Sequence, residues 1–177
     1  MKGTLITALV ALAFVGAGCV TTPGAAVSGT PNTNVAAAVS AGGTNTVLPM
    51  SYHGDIIKDA KENTYFRRVV FTGKNSQLVV MSIPPGGEVG EETHKHTEQT
   101  LFFLSGTGEA RLNDETYPIA PGNVTVVTPG TKHNFINTGS VPLQIYTVYA
   151  PPNHIDGRIH KTKADADADV ADEAVGE

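Results

Sequence analysis

Three of the six histidines stand where they can act together. His94 and His96 are two residues apart, and on an extended chain side chains at that spacing leave the same face. Gln99 follows three residues later, where a local irregularity is needed to return it to that face. His133 comes from a later segment, just after a Pro129-Gly130 turn that can aim it at the first pair. Three imidazoles converging inside a small fold are costly if left unpaired, and one divalent ion satisfies them together. Spacing alone leaves a second possibility open, because Glu91, Glu92, Lys95 and Glu98 surround the pair and suit a surface location.

Other side chains offer less. Arg111, Tyr117, Tyr146 and Tyr149 are candidates to line a pocket mouth, where an arginine would grip a carboxylate or phosphate through two nitrogens. Leu101, Phe103 and Phe135 read as core, and His154 and His160, in a loop-like stretch, as surface residues. No Gly-rich phosphate loop, dinucleotide fingerprint or nucleophile motif is present.

The elements that must position these residues are short. A helix is expected over 55–63, capped by Asp55, with Ile56, Ile57 and Ala60 inward. Segments rich in Val, Ile, Phe and Tyr at 67–72, 77–83, 100–104, 108–112, 116–119, 123–127, 133–136 and 143–150 predict strands, separated by Gly, Pro, Asn and Ser. Short strands at near-regular spacing, without a helix long enough for a parallel crossover, indicate an all-β antiparallel sandwich or barrel.

Two stretches carry a family resemblance. Residues 90–106, GEETHKHTEQTLFFLSG, resemble the first cupin motif, in which two histidines separated by one residue precede an acidic ligand and then a glycine. Residues 122–137, GNVTVVTPGTKHNFIN, are similar to the second, with Gly122, Gly130, His133 and Asn137 at the family spacing and Thr128 in place of a proline. The first stretch departs more: Gln99 falls at the glutamate position, with one spacer residue fewer than is commonest after His96. The resemblance implies a double-stranded β-helix, or jelly-roll barrel, with a site in its mouth. It makes His94, His96, Gln99 and His133 the ligands of a divalent transition metal, without choosing among Mn, Fe, Ni, Cu and Zn. Three neutral imidazoles and an amide would leave the ion's +2 charge uncompensated, favouring an anionic ligand unless Glu91, Glu92 or Glu98 points inward. Glu98 is an alternative to Gln99. The implied function is metal-assisted action on a small polar or anionic molecule, isomerase- or dioxygenase-like, or else non-catalytic binding of a small ligand or metal; a homodimer is also implied.

Composition frames the domain. Lys2, an apolar stretch over 5–15 and small residues before the sole cysteine, Cys19, read as a signal peptide over 1–18 and resemble a bacterial lipobox. Export, a lipid on Cys19 and attachment to a membrane of the bacterial envelope follow as expectations. Residues 19–50 carry no charged side chain and read as a flexible tether. The barrel is expected over 51–160, and the acidic, low-complexity residues 161–177 as a disordered tail. Without that tail the body is near neutral and lacks a basic cluster, which argues against nucleic acid as a partner.

Overall fold

A computed structural model of the chain describes residues 51–176. The signal segment 1–18, Cys19, the tether 19–50 and Glu177 lie outside the described residues. Helix α1 (Ile56–Glu62) starts where Asp55 accepts a hydrogen bond from the Lys58 amide at 3.0 Å. Only Ala60 of its three expected inward residues is fully buried; Ile57 is exposed, because seven residues give two turns and a narrow contact face.

Nine strands follow: β1 (Arg67–Thr72), β2 (Gln77–Ile83), β3 (Glu98–Ser105), β4 (Gly108–Leu112), β5 (Glu115–Ile119), β6 (Val124–Val127), β7 (His133–Asn137), β8 (Leu143–Ala150) and β9 (Ile159–His160). They form a six-stranded sheet in the order β6-β3-β8-β2-β1-β9 and a three-stranded sheet in the order β5-β4-β7. Every strand pairing is antiparallel. The fold is thus an all-β double-stranded β-helix.

Alternation sets the core. Strand β8 buries Leu143, Ile145, Thr147 and Tyr149 while its intervening residues stay half-buried, so the two-residue period of the strand sorts its side chains between faces. Leu101 and Phe103 of β3, Ala110 of β4 and Phe135 of β7 meet Val79, Met81 and Ile145 in one cluster fed by both sheets. Burying each large apolar side chain contributes roughly 1.5–3 kcal/mol. Between motifs the backbone is pinned by Asn137, whose amide donates to the carbonyls of Ile83 at 2.8 Å and Val141 at 2.9 Å. Gly106 sits at φ +82°, with the Pro142 carbonyl oxygen 2.7 Å from where a Cβ would lie, so no other residue fits there.

Residues 161–176 are ordered, contrary to the reading of 161–177 as a disordered tail. Helix α2 (Lys163–Asp167) opens with a reciprocal capping box between Thr162 and Asp165, and α3 (Val170–Glu173) is capped by Asp169. Ala166 joins the core cluster, and Asp172 is 1% exposed. Composition suggested disorder because it counted acids without their partners. Asp169 meets Arg158 and His160, each at 3.0 Å, and Asp172 meets His154 at 2.8 Å. His154 and His160, expected at the surface, are accordingly buried.

Candidate metal centre

The stretch preceding β3 runs as a partner of β7, and this pairing builds the site. Glu92 and His133 exchange backbone hydrogen bonds at 2.9 Å in both directions, and the Gly130 amide donates to the His94 carbonyl at 2.8 Å. Glu92 and His94, two residues apart, thereby face inward beside His133. One ligand atom from each of the three lies within 4.8 Å of the others. His94 Nε2 is 3.7 Å and His133 Nε2 3.9 Å from Glu92 Oε2, and the two imidazole centroids are 5.0 Å apart.

A hydrogen bond fixes which His133 nitrogen is available. His133 Nδ1 donates to the Thr131 carbonyl at 2.9 Å, leaving a lone pair on Nε2. Burial lowers the His94 pKa against the opposing pull of Glu92, which favours a neutral ring. Both Nε2 atoms are buried without a hydrogen-bond partner. Gln99 is buried on β3; its Nε2 donates to Tyr149 Oη at 2.9 Å, and its Oε1 has no partner. Tyr149, whose ring meets His94 edge-on at 5.8 Å, is pushed by burial to stay a protonated phenol. Arg67, on β1, donates to Glu92 Oε1 at 3.3 Å, holding that carboxylate in place. Two imidazole lone pairs, a carboxylate and an orphaned amide oxygen fit a divalent transition ion, for which nitrogen and oxygen donors of this kind are usual.

The expected ligand set needs a correction. His96 is exposed and stands apart from the group. The chain turns at Lys95 and His96 before β3 begins at Glu98, so the extended geometry assumed for a His94/His96 pair does not hold there. The inward pair is Glu92/His94. Four residues then separate His94 from Gln99, and the shortened spacer disappears. Glu98, the alternative to Gln99, is exposed, and exposed Glu91 pairs with Lys132 at 3.3 Å.

The charge count changes with it, since Glu92 offsets one of the two positive charges an ion would bring. Of the proposed mouth residues only Tyr149 borders the group. Arg111 is exposed and paired with Glu109 at 3.1 Å, Tyr117 bonds Glu115 on the surface, and Tyr146 stacks on Phe102 with centroids 4.5 Å apart.

A cavity of about 290 Å³ opens at this group, lined by Arg67, Glu92, His94, Asn153, His154 and residues of the C-terminal helices. Sequence reasoning named Glu92 only as one of three acids that could point inward, and missed Arg67 and His154 as site residues; the two-residue spacing of Glu92 and His94 was the available signal for the first. A second cavity, about 380 Å³, has Lys61, Phe66, Pro84 and Lys163 in its lining and contains none of the unpartnered imidazoles.

Comparison with known proteins agrees with this architecture. The cupin domain family matches residues 79–149. YrkC of Bacillus subtilis is 37% identical over 124 residues, 67% of this chain and 67% of its own length. The chain belongs to the cupin superfamily. Among solved cupin-like structures, BH2720 of Bacillus halodurans is 35% identical with a TM-score of 0.67, covering 68% of this chain and 96% of its own. A Klebsiella pneumoniae protein with a double-stranded β-helix domain, 23% identical with a TM-score of 0.51, covers 63% of this chain and all of its own, and supports the fold alone. In this cupin the inward-facing carboxylate of Glu92 takes the place that the sequence comparison had given to an imidazole.

Proposed function

We propose that this cupin is a metal-dependent protein that transforms a small polar molecule in the cavity beside Glu92, His94 and His133. One observation carries the reading: the unpartnered Nε2 atoms of His94 and His133 converge with a carboxylate oxygen, an arrangement that one bound ion would satisfy. A divalent ion held there supplies Lewis-acid polarisation of a substrate oxygen, the chemistry of isomerase- and dioxygenase-like sites. The chain supplies the rest. Arg67 orients Glu92, the Thr131 carbonyl fixes the His133 tautomer, and Gln99, held by Tyr149, presents its carbonyl oxygen.

Elemental analysis of purified protein tests this. Roughly one equivalent of a transition metal is expected in the unaltered protein and in His96→Ala, with loss of about 10-fold or more in affinity in His94→Ala and His133→Ala. Equal retention in all four proteins would overturn the assignment. Metal loading without turnover of any small polar compound would instead identify a binding module.

The reading extends to location and assembly. Lys2, the apolar stretch over 5–15 and the small residues before Cys19 support export and lipid attachment, checked by the mass of the mature N-terminus. Exposed Val124 and Val126 on the sheet-edge strand β6 support pairing with a second copy, checked by light scattering of Val124→Lys, which is expected to be monomeric.

A further inference from the structure

His154 was not part of the ligand set, yet its setting is that of a working imidazole. Its side chain is 6% exposed and lines the cavity shared with Glu92 and His94. Its Nδ1 lies 2.8 Å from Asp172 Oδ2, and the same carboxylate accepts the Ile155 amide at 2.7 Å through Oδ1. A carboxylate can only accept, so Nδ1 carries the proton and Nε2 a lone pair. That Nε2 is buried and has no partner. Burial lowers the ring's pKa, against the pull of Asp172, which keeps the lone pair available near neutrality.

The charges on the wall limit what can sit against it. Among the described residues, Arg67 is the one cationic side chain lining the cavity, and it is shared between Glu92 at 3.3 Å and Asp172 at 3.8 Å. Of the acids at the rim, Glu91 is matched by Lys132 and Asp167 by Lys163, while Glu173 has no ion pair among the described residues. Arg158, 3.9 Å from Asp172, is matched by Asp169 at 3.0 Å, so one guanidinium against Glu92, Asp172 and Glu173 leaves about two negative charges. A divalent ion therefore brings the site near neutrality, so no surplus positive charge remains to hold a carboxylate or phosphate. Of the buried unpartnered side-chain atoms lining this cavity that the metal group does not use, His154 Nε2 and Asn153 Oδ1 accept and Arg67 Nε donates.

We propose that His154, aligned by Asp172 from the C-terminal segment, is the proton acceptor of the site, and that its ligand is a small uncharged molecule bearing hydroxyl groups. This deepens the function proposed above and rests on it. In the step, the ligand O–H bond breaks and its proton forms a bond to His154 Nε2, while Nδ1–H stays with Asp172. The electron pair remains on the ligand oxygen, and the resulting imidazolium is stabilised by the adjacent carboxylate. Asp172 acts as a positioning residue. The ordered tail is thereby part of the site, supplying the carboxylate that selects the histidine's tautomer.

The test is nitrogen NMR of the zinc-loaded, isotope-labelled full chain. His154 is expected in the Nδ1–H tautomer, opposite to the usual solution preference, and Asp172→Ala is expected to return it to Nε2–H with the barrel resonances retained. Glycerol is expected to shift the Nε2 resonance and inorganic phosphate to leave it in place; His154→Phe, which preserves ring volume, is expected to weaken glycerol binding at least 10-fold. An Nε2–H tautomer in the unaltered protein, tighter binding of phosphate than of glycerol, or undiminished glycerol binding by His154→Phe would each overturn the proposal. Failure of the unaltered chain to retain zinc would overturn the metal-site reading instead, so the two failures are separable.

Discussion

Replacing Asp172 with alanine removes the buried charge that ties the C-terminal helices to the barrel. The carboxylate accepts from His154 at 2.8 Å and from the Ile155 amide at 2.7 Å, and it faces Arg67 at 3.8 Å. Breaking a buried pair by deleting one partner costs about 3–5 kcal/mol. Arg67 keeps Glu92 at 3.3 Å, so the guanidinium is not left alone and the lower end applies, about 3 kcal/mol. For a domain of this size that corresponds to a fall in Tm of roughly 10 °C. Asp165→Ala, which removes one side of an exposed capping box, is the control, with a loss of ~1 kcal/mol. Urea unfolding of the three proteins measures both values. If Asp172→Ala matched the unaltered protein within about 0.5 kcal/mol, the order of residues 161–176 and the role given to Asp172 would both be refuted.

Three further outcomes are expected. Phe135→Ala, at a fully buried site between the sheets, should lose about 3–5 kcal/mol in the same urea assay. Gly106→Ala places a methyl against the Pro142 carbonyl at a positive φ, and should lower Tm by more than the control Asp165→Ala. Metal-free protein should lose stability in two acid stages, read by urea midpoints against pH. Burial sets the His94 and His154 pKa values below their unfolded value of 6.5, so their contribution is complete above that pH and falls as pH drops toward the folded values. Burial acts to raise the Asp172 pKa, but hydrogen bonds from His154 and the Ile155 amide outweigh it and hold the group below 3.8; its contribution goes only as pH falls below that value.

The barrel was legible because strands such as β3, β7 and β8 alternate between buried and outward residues and the segments are separated by Gly, Pro or Asn. Strands β1, β2, β4 and β8 begin and end where the residue pattern placed them, and β3 starts two residues earlier only because Glu98 pairs with Ala150 across the sheet. The site was legible in part. His94 and His133 could be found from spacing, but the choice between Glu92 and His96 depends on where the chain stops being extended, and a turn at Lys95 and His96 carries no Gly or Pro to announce it. His154 had no local signal, since its carboxylate partner lies eighteen residues on, inside a run whose composition resembles disorder. Pairwise charge compensation across such a distance is a property of the folded chain and leaves no periodic trace in the sequence.

Arg67 links the inward carboxylate of one recurrent cupin segment to the terminal helix, and neither Arg67 nor Asp172 falls within residues 79–149. Two barrels matching at every position of that stretch can therefore differ in reactivity, because the arginine comes before it and the histidine and aspartate after it. For proteins built this way, inheritance of chemistry is decided at the flanks, and a transplant of the shared stretch alone would carry the metal cradle but not the groups that select what reaches it.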